Sequence, residues 1–359
     1  MRTKHIDHYY TSLDRMLELF GREARSLPCR AENAETYAAW KTALKDKLSE
    51  LTGLSVMEKC DLYPKLMDSA RPEEGVTREK WIIQTEKDVW MPFYLLKPDT
   101  AAARQPCVIA THGHYGGGKY AVSGRADIPA VKEKIDEYHY AYGLAFAKAG
   151  YTVFSPDARG FGERRESTKQ TDEEHDFLTS TCEQLNHIAI CLGRSLTGLW
   201  IWDLTRLIDY IESRGDCDPR RIGCAGLSGG GLQSLWLAAM DERVRCAIVS
   251  GYFYGYRDAL LKLPNCACNY VPGLWKAADM GDIGALIAPR PLMIETGDED
   301  SLNGESGLNN VRTQLDITKG AYTLFGAADR LYHVIRHGGH RWYGDQAESF
   351  MDTYLKGSV

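Results

Sequence analysis

Apolar side chains recur at intervals of three and four residues in two stretches near the start of the chain, residues 6–20 and 37–51. Spacing of this kind places the apolar residues on one face of an α-helix. We therefore predict an N-terminal extension, residues 1–75, that is helical and packs on a main fold spanning residues 76–359.

The main fold opens with two apolar runs, residues 80–85 and 90–96, on either side of a polar turn, a pattern that predicts a β-hairpin. Beyond the hairpin, short apolar runs alternate with helical patterns. This alternation is typical of parallel strands joined by helices that cover both faces of a sheet, so we predict an α/β fold with a mostly parallel central sheet. The strand candidates are residues 107–110, 151–154, 221–225, 246–249, 291–294 and 332–335.

The helical patterns are clear in two places. Residues 199–211 show an apolar face before the third of these strands, and residues 345–356 are predicted to close the chain as a last helix. Residues 164–198, by contrast, fit no unit of strand and helix, and charged runs mark their first part. Long segments of this kind in a compact domain are commonly functional, so we expect this inserted segment to form a lid.

Composition limits the classes of partner. The 359 residues are 44% hydrophobic and carry 43 Lys and Arg against 49 Asp and Glu, a net charge of -6. No basic block gathers into a footprint for nucleic acid. The first residues lack the apolar run of a signal peptide, and no stretch approaches the roughly 20 apolar residues of a membrane span. The expectation is a cytoplasmic protein that binds neither nucleic acid nor a membrane.

Ten cysteines are scattered along the chain, and Cys107, Cys224 and Cys246 fall in apolar strand candidates, as buried free thiols do. Cys266 and Cys268 form the one close pair. Because no second Cys or His pair at zinc spacing stands beside them, packing is the preferred interpretation of this pair. We therefore predict no metal and no cofactor.

Residues 226–230, GLSGG, match the nucleophile elbow G-x-S-x-G, in which a serine sits on a strained turn from strand to helix with its hydroxyl exposed. A tight glycine-rich turn is the alternative, since a bare match carries little weight alone. The context favours the elbow, because a strand candidate runs into it and an apolar helical pattern leaves it. We predict that Ser228 is the nucleophile.

A serine hydroxyl needs a neighbouring base to take its proton, and with this elbow the chain order is Ser, acid, His. Three histidines follow Ser228. His333 falls inside a strand candidate, whereas His337 and His340 lie in the turn after it, around a glycine pair. We favour His340 as the base and keep His337 as the alternative; otherwise each is an ordinary solvated loop histidine.

The acid should follow the preceding strand, and the loop after residues 291–294 offers Asp298, Glu299 and Asp300. A carboxylate there would hold the imidazole in one tautomer and stabilise the imidazolium. Position alone leaves all three open, and for each of them a solvated loop carboxylate is the alternative.

Residues 111–118, THGHYGGG, follow the strand candidate 107–110, where the second half of an oxyanion hole is expected. Backbone N–H groups of Gly113 and His114, with that of Gly229, would stabilise the negative oxygen of a tetrahedral intermediate. A phosphate-binding loop is disfavoured because the spacing G-x-x-x-x-G-K-[ST] is missing.

With these residues in place, the chain resembles the α/β-hydrolase superfamily, and within it the dienelactone-hydrolase and acetyl-xylan-esterase-like branch. The resemblance covers about residues 80–357. The motifs are specific as a set rather than singly. They are residues 112–118 (HGHYGGG), 157–164 (DARGFGER), 193–198 (GRSLTG) with the WD pair 202–203, 226–231 (GLSGGG), 268–273 (CNYVPG), 288–292 (APRPL) and 338–341 (GGHR).

The resemblance implies an α/β-hydrolase fold and selects Asp300 as the acid, because the branch places its acid in a G-x-x-D pattern and Gly297 stands at the required position. The chain then departs from the branch, with residues 301–306 (SLNGES) in place of proline and aromatic residues. By the same resemblance, Asp157 would fix its loop and Glu163 would line the pocket.

The leading hypothesis is a serine carboxylic ester hydrolase that works through an acyl-enzyme. The resemblance alone suggests that it removes a short acyl group such as acetyl from a carbohydrate or small-molecule ester. Tyr252 and Trp342, with Tyr254, Tyr256 and Tyr343, lie near predicted strand ends and would offer sugar rings a stacking surface, or else belong to the core.

Other functions use the same fold and triad. A lactonase, a uronoyl methyl esterase and a peptidase stay open, although a peptidase would commonly carry a β-propeller, for which the N-terminal extension is too short and too helical. A non-catalytic binding protein is the remaining alternative, and the joint presence of Ser228, Asp300 and His340 counts against it. The N-terminal extension could also mediate a homo-oligomer.

Overall fold

The computed structural model describes residues 6–99, 104–171 and 173–357, and its described strands form one nine-stranded sheet. The strands are β1 (Lys65–Glu73), β2 (Val76–Glu86), β3 (Val89–Pro98), β4 (Gln105–Thr111), β5 (Thr152–Pro156), β6 (Cys217–Leu227), β7 (Val244–Ser250), β8 (Leu292–Gly297) and β9 (Leu331–Arg336).

The sheet follows the order β1-β2-β3-β5-β4-β6-β7-β8-β9. The pairs β1–β2, β2–β3 and β3–β5 are antiparallel, and all pairs from β5 to β9 are parallel. The predicted hairpin, now β2 and β3, and the six predicted strands, now β4 to β9, are therefore confirmed. The fold is the α/β-hydrolase fold, with a mostly parallel central sheet.

Helices cover both faces of this sheet. Alternate residues of β4 show this: Cys107 and Ile109 belong to one buried apolar cluster, and Val108 and Ala110 belong to another. A strand that is buried on both faces is a continuous apolar run, which explains why these strands could be predicted from the sequence.

The helices of the described chain are α1 (Leu13–Glu23), α2 (Ala34–Thr52), α3 (Lys119–Val122), α4 (Pro129–Tyr138), α5 (Tyr142–Lys148), α6 (Glu174–Leu178), α7 (Cys182–Cys191), α8 (Leu196–Ser213), α9 (Gly229–Met240), α10 (Leu274–Ala277), α11 (Met280–Ala285), α12 (Leu308–Leu324) and α13 (Ala347–Met351). The predicted helix over residues 199–211 is α8. The predicted last helix is α13, continued by a π-helical turn, Asp352–Lys356. None of the described helices is long and apolar enough to cross a membrane.

The N-terminal extension differs from its prediction in two ways. α1 begins only at Leu13, and of its residues only Leu17 is buried, so most of the expected apolar face is exposed. Residues 65–73, expected to be helical, instead form β1 at the edge of the sheet. α2 packs as predicted: Leu44 and Leu48 are fully buried, and Tyr37 Oη donates to two backbone carbonyls beside α11.

The inserted segment follows β5 and ends at Ser195, which caps α8 by accepting from the Gly198 N–H. Residues 196–198, predicted as part of this segment, therefore belong to α8. Two short 3-10 turns, α6 and α7 make up its regular structure.

A buried ion cluster holds the start of the inserted segment against α8. Asp203 on α8 accepts from Arg159 at 2.9 Å and from Arg164 at 2.7 Å, and also from the Thr85 hydroxyl at 2.6 Å. Burial alone would raise the pKa of Asp203, but the charges of Arg159 and Arg164 outweigh it and hold the pKa below its usual range. The carboxylate is therefore ionised and fully committed to this cluster.

Replacing Asp203 with asparagine is expected to lower the free energy of unfolding by about 3–5 kcal/mol, because the buried Arg164 loses its carboxylate partner and Arg159 keeps only Glu86. Urea unfolding followed by circular dichroism measures this loss. Glu212→Gln on the same helix is the matched control, since Glu212 pairs with Arg243 at the surface and such a pair contributes about 1 kcal/mol or less. Equal losses in the two variants would contradict the expectation.

Candidate active site

Ser228 occupies the turn between β6 and α9, with φ 61° and ψ -121°. A non-glycine residue at positive φ is strained, and such strain is typical of functional turns. The flanking glycines are required here. A Cβ at Gly226 would collide with the backbone of Gly230, and one at Gly230 would collide with the Thr111 carbonyl. The predicted nucleophile elbow is thus present as a strand, a strained turn and a helix.

The four predicted segments of the site follow parallel strands and meet at one edge of the sheet. Ser228 follows β6, Asp300 follows β8, His340 follows β9, and Gly113 with His114 follows β4. The carboxyl ends of neighbouring parallel strands lie side by side, which is why ligand sites in α/β folds collect there.

The structure distinguishes among the three candidate acids. Asp300 is 4% exposed, and its Oδ2 lies 2.6 Å from His340 Nδ1, while its Oδ1 accepts from the Leu302 N–H. Asp298 instead faces His337, whose side chain is 82% exposed. Glu299 is also exposed. The pair that is shielded from water, and in which a carboxylate orients an imidazole, is therefore Asp300 and His340.

Ser228 and His340 line the same cavity. The imidazole rests on the backbone of Gly251, where an added Cβ would lie 2.9 Å from its Cε1. Among the described hydrogen bonds, none joins the Ser228 hydroxyl directly to His340. Contacts of this kind are often long in a free enzyme and shorten when substrate binds.

The loop after β4 lies against the elbow. A Cβ at Gly113 would be 3.1 Å from Ser228 Cβ, and one at Gly229 would be 2.9 Å from the His114 ring. His112 fixes this loop through two hydrogen bonds. Its Nε2 accepts from the Ala158 N–H, so its Nδ1 carries the proton and donates to the Gly113 carbonyl at 2.8 Å. Burial lowers the pKa of His112 to about 4, so its imidazole is neutral at pH 7.

Glu295 is a buried support that the sequence did not reveal. Its carboxylate accepts from the backbone N–H groups of Tyr343 and Gly344 and from the Ser250 hydroxyl, at 2.7–2.8 Å. Burial raises its pKa, against the effect of these donors. Because the residues it binds follow His340 and precede Gly251, Glu295 fixes the two segments between which the imidazole lies.

The cavity at this edge has a volume of about 790 Å³. The inserted segment supplies one wall, and the chain between β7 and α10 supplies another. The residues that line it are His114, Tyr115, Tyr138, Tyr140, Phe161, Lys169, Thr179, Ser180, Glu183, His187, Ser228, Pro264, Asn265, Cys266, Ala267, Tyr270, Leu302 and His340.

Glu163 does not line this cavity, contrary to the prediction. Its carboxylate pairs with Lys80 at 2.6 Å and with the buried Lys119 at 2.5 Å. Lys119 also pairs with Asp157, which in turn accepts from the Lys119 and Glu163 N–H groups. Asp157 and Glu163 therefore both serve to hold this loop around a buried ammonium group.

The predicted aromatic platform is also wrong. Tyr252 is 3% exposed and donates its hydroxyl to Asn269, and Trp342 is 6% exposed and stacks on Tyr142 with ring centroids 4.4 Å apart. Tyr254 and Tyr256 are buried as well. These rings pack in the core and do not line the cavity. The aromatic rings that do reach the cavity are Tyr115, Tyr138, Tyr140, Phe161 and Tyr270.

One group of side chains beside the elbow has the composition of a metal site. The ligand atoms of His114, Cys182, Cys266 and Cys268 all lie within 4.8 Å of one another. The sequence drew attention only to Cys266 and Cys268, because the other two members are distant in the chain.

Comparison with known proteins agrees with this architecture. The model of the Abhydrolase family matches residues 16–352. The candidate hydrolase YtaP of Bacillus subtilis (strain 168) is 31% identical over 293 residues, which are 77% of this chain and 87% of YtaP.

Two solved structures share the fold at low identity. A candidate acetyl xylan esterase from Bacteroides fragilis NCTC 9343 superposes with a TM-score of 0.73 at 19% identity, over 92% of this chain and 83% of that chain. A glucuronoyl esterase from Solibacter usitatus gives a TM-score of 0.67 at 17% identity, over 92% of this chain and 97% of the other. Likeness at these identities shows the fold. The family match and the relationship to YtaP show more: this chain belongs to the Abhydrolase family.

Proposed function

We propose that the protein is a serine carboxylic ester hydrolase that removes a short acyl group, such as acetyl, from a carbohydrate or a small-molecule ester. One observation carries the proposal. Ser228, on its strained elbow, shares a cavity with His340, and the ring of His340 is oriented by the buried carboxylate of Asp300 at 2.6 Å. This is the arrangement that acyl transfer by a serine requires.

In the proposed mechanism, Ser228 Oγ attacks the ester carbonyl carbon while His340 Nε2 takes the hydroxyl proton. The tetrahedral intermediate collapses, the bond to the alcohol oxygen breaks, and His340 returns the proton to the departing alcohol. Water then attacks the acyl-enzyme in the same way and releases the acid. Asp300 holds the His340 Nδ1–H throughout and stabilises the imidazolium.

The negative oxygen of each intermediate needs donors that are in place beforehand. The backbone N–H of Gly229, at the start of α9, and those of Gly113 and His114 are the proposed donors. Their support comes from the close packing of Gly113 against Ser228 and of His114 over Gly229. Each donor of this kind contributes about 3 kcal/mol to transition-state stabilisation.

The size and lining of the cavity support a carbohydrate or other small polar alcohol as the leaving group. Its volume of about 790 Å³ lies within the range of pockets that hold small molecules. Tyr115, Tyr138 and Tyr270 contribute aromatic side chains to the wall. The names of the two structural neighbours, an acetyl xylan esterase and a glucuronoyl esterase, point to the same class of substrate.

Asn265 supplies an unused donor at this wall. Within the described residues its buried Nδ2 has no hydrogen-bond partner, and the residue lines the cavity. A buried polar group normally has a partner, so a substrate oxygen, reached by rotation of the Asn265 side chain toward the cavity, is the proposed one.

Replacing Asn265 with alanine is expected to raise KM for an acetylated sugar by about 3- to 10-fold with little change in kcat, the effect of one lost hydrogen bond in binding. Initial-rate kinetics measure it. p-Nitrophenyl acetate is the matched control, because it lacks the sugar and its KM should not change. An equal rise for both esters would assign Asn265 a structural role instead.

A substrate panel tests the proposal as a whole. It contains p-nitrophenyl esters of increasing acyl length, acetylated sugars, methyl uronates, a lactone and a peptide. The expected result is hydrolysis of acetyl esters, with rates falling as the acyl chain lengthens. Preference for the methyl uronate, the lactone or the peptide would replace the acetyl esterase by that activity, and failure of a folded sample to react with a fluorophosphonate would refute the serine mechanism.

A further inference from the structure

Four side chains with soft or borderline metal-ligand atoms converge beside the cavity from three separate segments. His114 comes from the loop after β4, Cys182 opens α7 in the inserted segment, and Cys266 and Cys268 belong to the chain between β7 and α10. Their ligand atoms all lie within 4.8 Å of one another. Because these four residues are distant in the chain, their proximity results from the tertiary fold and not from local sequence.

The spacing is that of a tetrahedral site. With zinc–sulfur bonds of about 2.3 Å and a zinc–nitrogen bond of about 2.0 Å, tetrahedral angles place nitrogen about 3.5 Å from sulfur and sulfurs about 3.8 Å apart. His114 Nε2 lies 3.6 Å from Cys268 Sγ, close to the first of these values. The other pairs of ligand atoms lie at most 4.8 Å apart. Small side-chain adjustments would therefore bring the sulfur atoms to their tetrahedral spacing of about 3.8 Å.

The surroundings orient these ligands. Cys182 and Cys268 are 1% and 0% exposed. Asn269 donates through Nδ2 to the Cys266 carbonyl at 3.0 Å and to Cys268 Sγ at 3.7 Å, while its Oδ1 accepts from Tyr252. Outer partners of this kind hold metal ligands in position and donate to thiolate sulfur.

We propose that His114, Cys182, Cys266 and Cys268 bind one zinc ion in a closed, structural Cys3His site. Three thiolates and an imidazole form a complete tetrahedral set for zinc and leave no open position for chemistry on the metal. A disulfide would use two of the thiols and leave the third cysteine and the histidine without a function. The described cysteines are free, as zinc ligands must be.

The site would join three parts of the cavity wall. His114 lies over Gly229, and both His114 and Cys266 line the cavity, while Cys182 belongs to the inserted segment. Zinc bound here would fix the loop that carries two proposed oxyanion donors and would tie the inserted segment to the opposite wall. Metal binding itself does not depend on whether Ser228 is catalytic.

Metal analysis of the full chain, purified without chelators, tests the proposal. We expect about one zinc ion per chain by inductively coupled plasma mass spectrometry. The variants Cys182→Ser and Cys268→Ser should each retain less than about a tenth of it, since each loses a thiolate ligand. Cys191→Ser is the matched control: Cys191 ends the same helix, α7, its side chain is exposed, and this variant should keep its zinc.

Two measurements on the unmodified sequence keep the test valid even where a cysteine variant does not fold. Exchange of cobalt(II) into the protein should produce thiolate-to-metal charge-transfer absorption, and a thiol-modifying reagent should release zinc to a chromogenic chelator. Ser228→Ala should bind zinc like the wild type, which separates this proposal from the proposed function. Folded wild type without zinc and without a cobalt–thiolate band, or a native disulfide among the three cysteines, would overturn the site.

Discussion

Ser228→Ala is expected to lower kcat/KM for p-nitrophenyl acetate by about 10⁴-fold or more, because the proposed acyl-enzyme forms on the Ser228 hydroxyl that this substitution removes. The small rate that remains would come from the oxyanion donors and from substrate binding alone. The substitution removes one oxygen from a half-buried position, and the strained backbone at residue 228 is retained. The loss should therefore appear in kinetics and not in stability.

Initial rates and fluorophosphonate labelling, measured on the same preparation, check this expectation. Ser349→Ala on the exposed side of α13 is the matched control and should hydrolyse and label like the wild type. Full labelling and full activity in Ser228→Ala would show that another residue is the nucleophile and would end the serine mechanism proposed for this cavity.

Asp300→Asn is expected to lower kcat by about 10³- to 10⁴-fold, because the amide favours the wrong tautomer of His340 and no longer stabilises the imidazolium. Asp298→Asn should change kcat by less than about 3-fold, since its partner His337 is solvated and exposed pairs of this kind contribute little. The comparison is sharp because the two aspartates share one loop and the substitutions are chemically identical.

Steady-state kinetics at several pH values, with unfolding curves for each variant, provide the measurement. The loop itself should persist in both variants, because the Asp298 N–H donates to the Arg336 carbonyl and the Glu299 N–H donates to the Gly338 carbonyl. A larger loss in Asp298→Asn than in Asp300→Asn would transfer the role of the acid to Asp298.

The sequence predicted the central sheet because its parallel strands are buried on both faces and are therefore apolar throughout. β1 was not predicted, for the opposite reason. It lies at the edge of the sheet, its run KLMDSARPE mixes charged and apolar residues, and Leu66 and Met67 are about half exposed. An edge strand needs no apolar face and so leaves little periodic signal.

The residues proposed to react were easier to locate from the sequence than those proposed to bind substrate. Ser228, Asp300 and His340 follow strands in a fixed chain order, so strand assignment nearly locates them. Glu163 and Trp342 were misplaced, because the direction of a loop side chain depends on contacts that the sequence does not display. Glu163 is held by Lys119, which no pattern marked as buried.

The cluster of His114 and three cysteines lay beyond sequence reasoning for a similar reason. Zinc sites are recognised by closely spaced ligand pairs, and here only Cys266 and Cys268 are close. His114 and Cys268 stand 154 positions apart and meet only because the loop after β4 and the chain before α10 fold over the same elbow.

The groups that would break the ester stand on the ends of sheet strands, whereas much of the surrounding wall comes from the inserted segment and the chain before α10. Changes in those two segments can therefore alter which ester fits without moving Ser228, Asp300 or His340. Under the proposed function, such an arrangement would allow relatives to diverge in selectivity while retaining one reaction, and the inserted segment would be the place to change which ester this protein accepts.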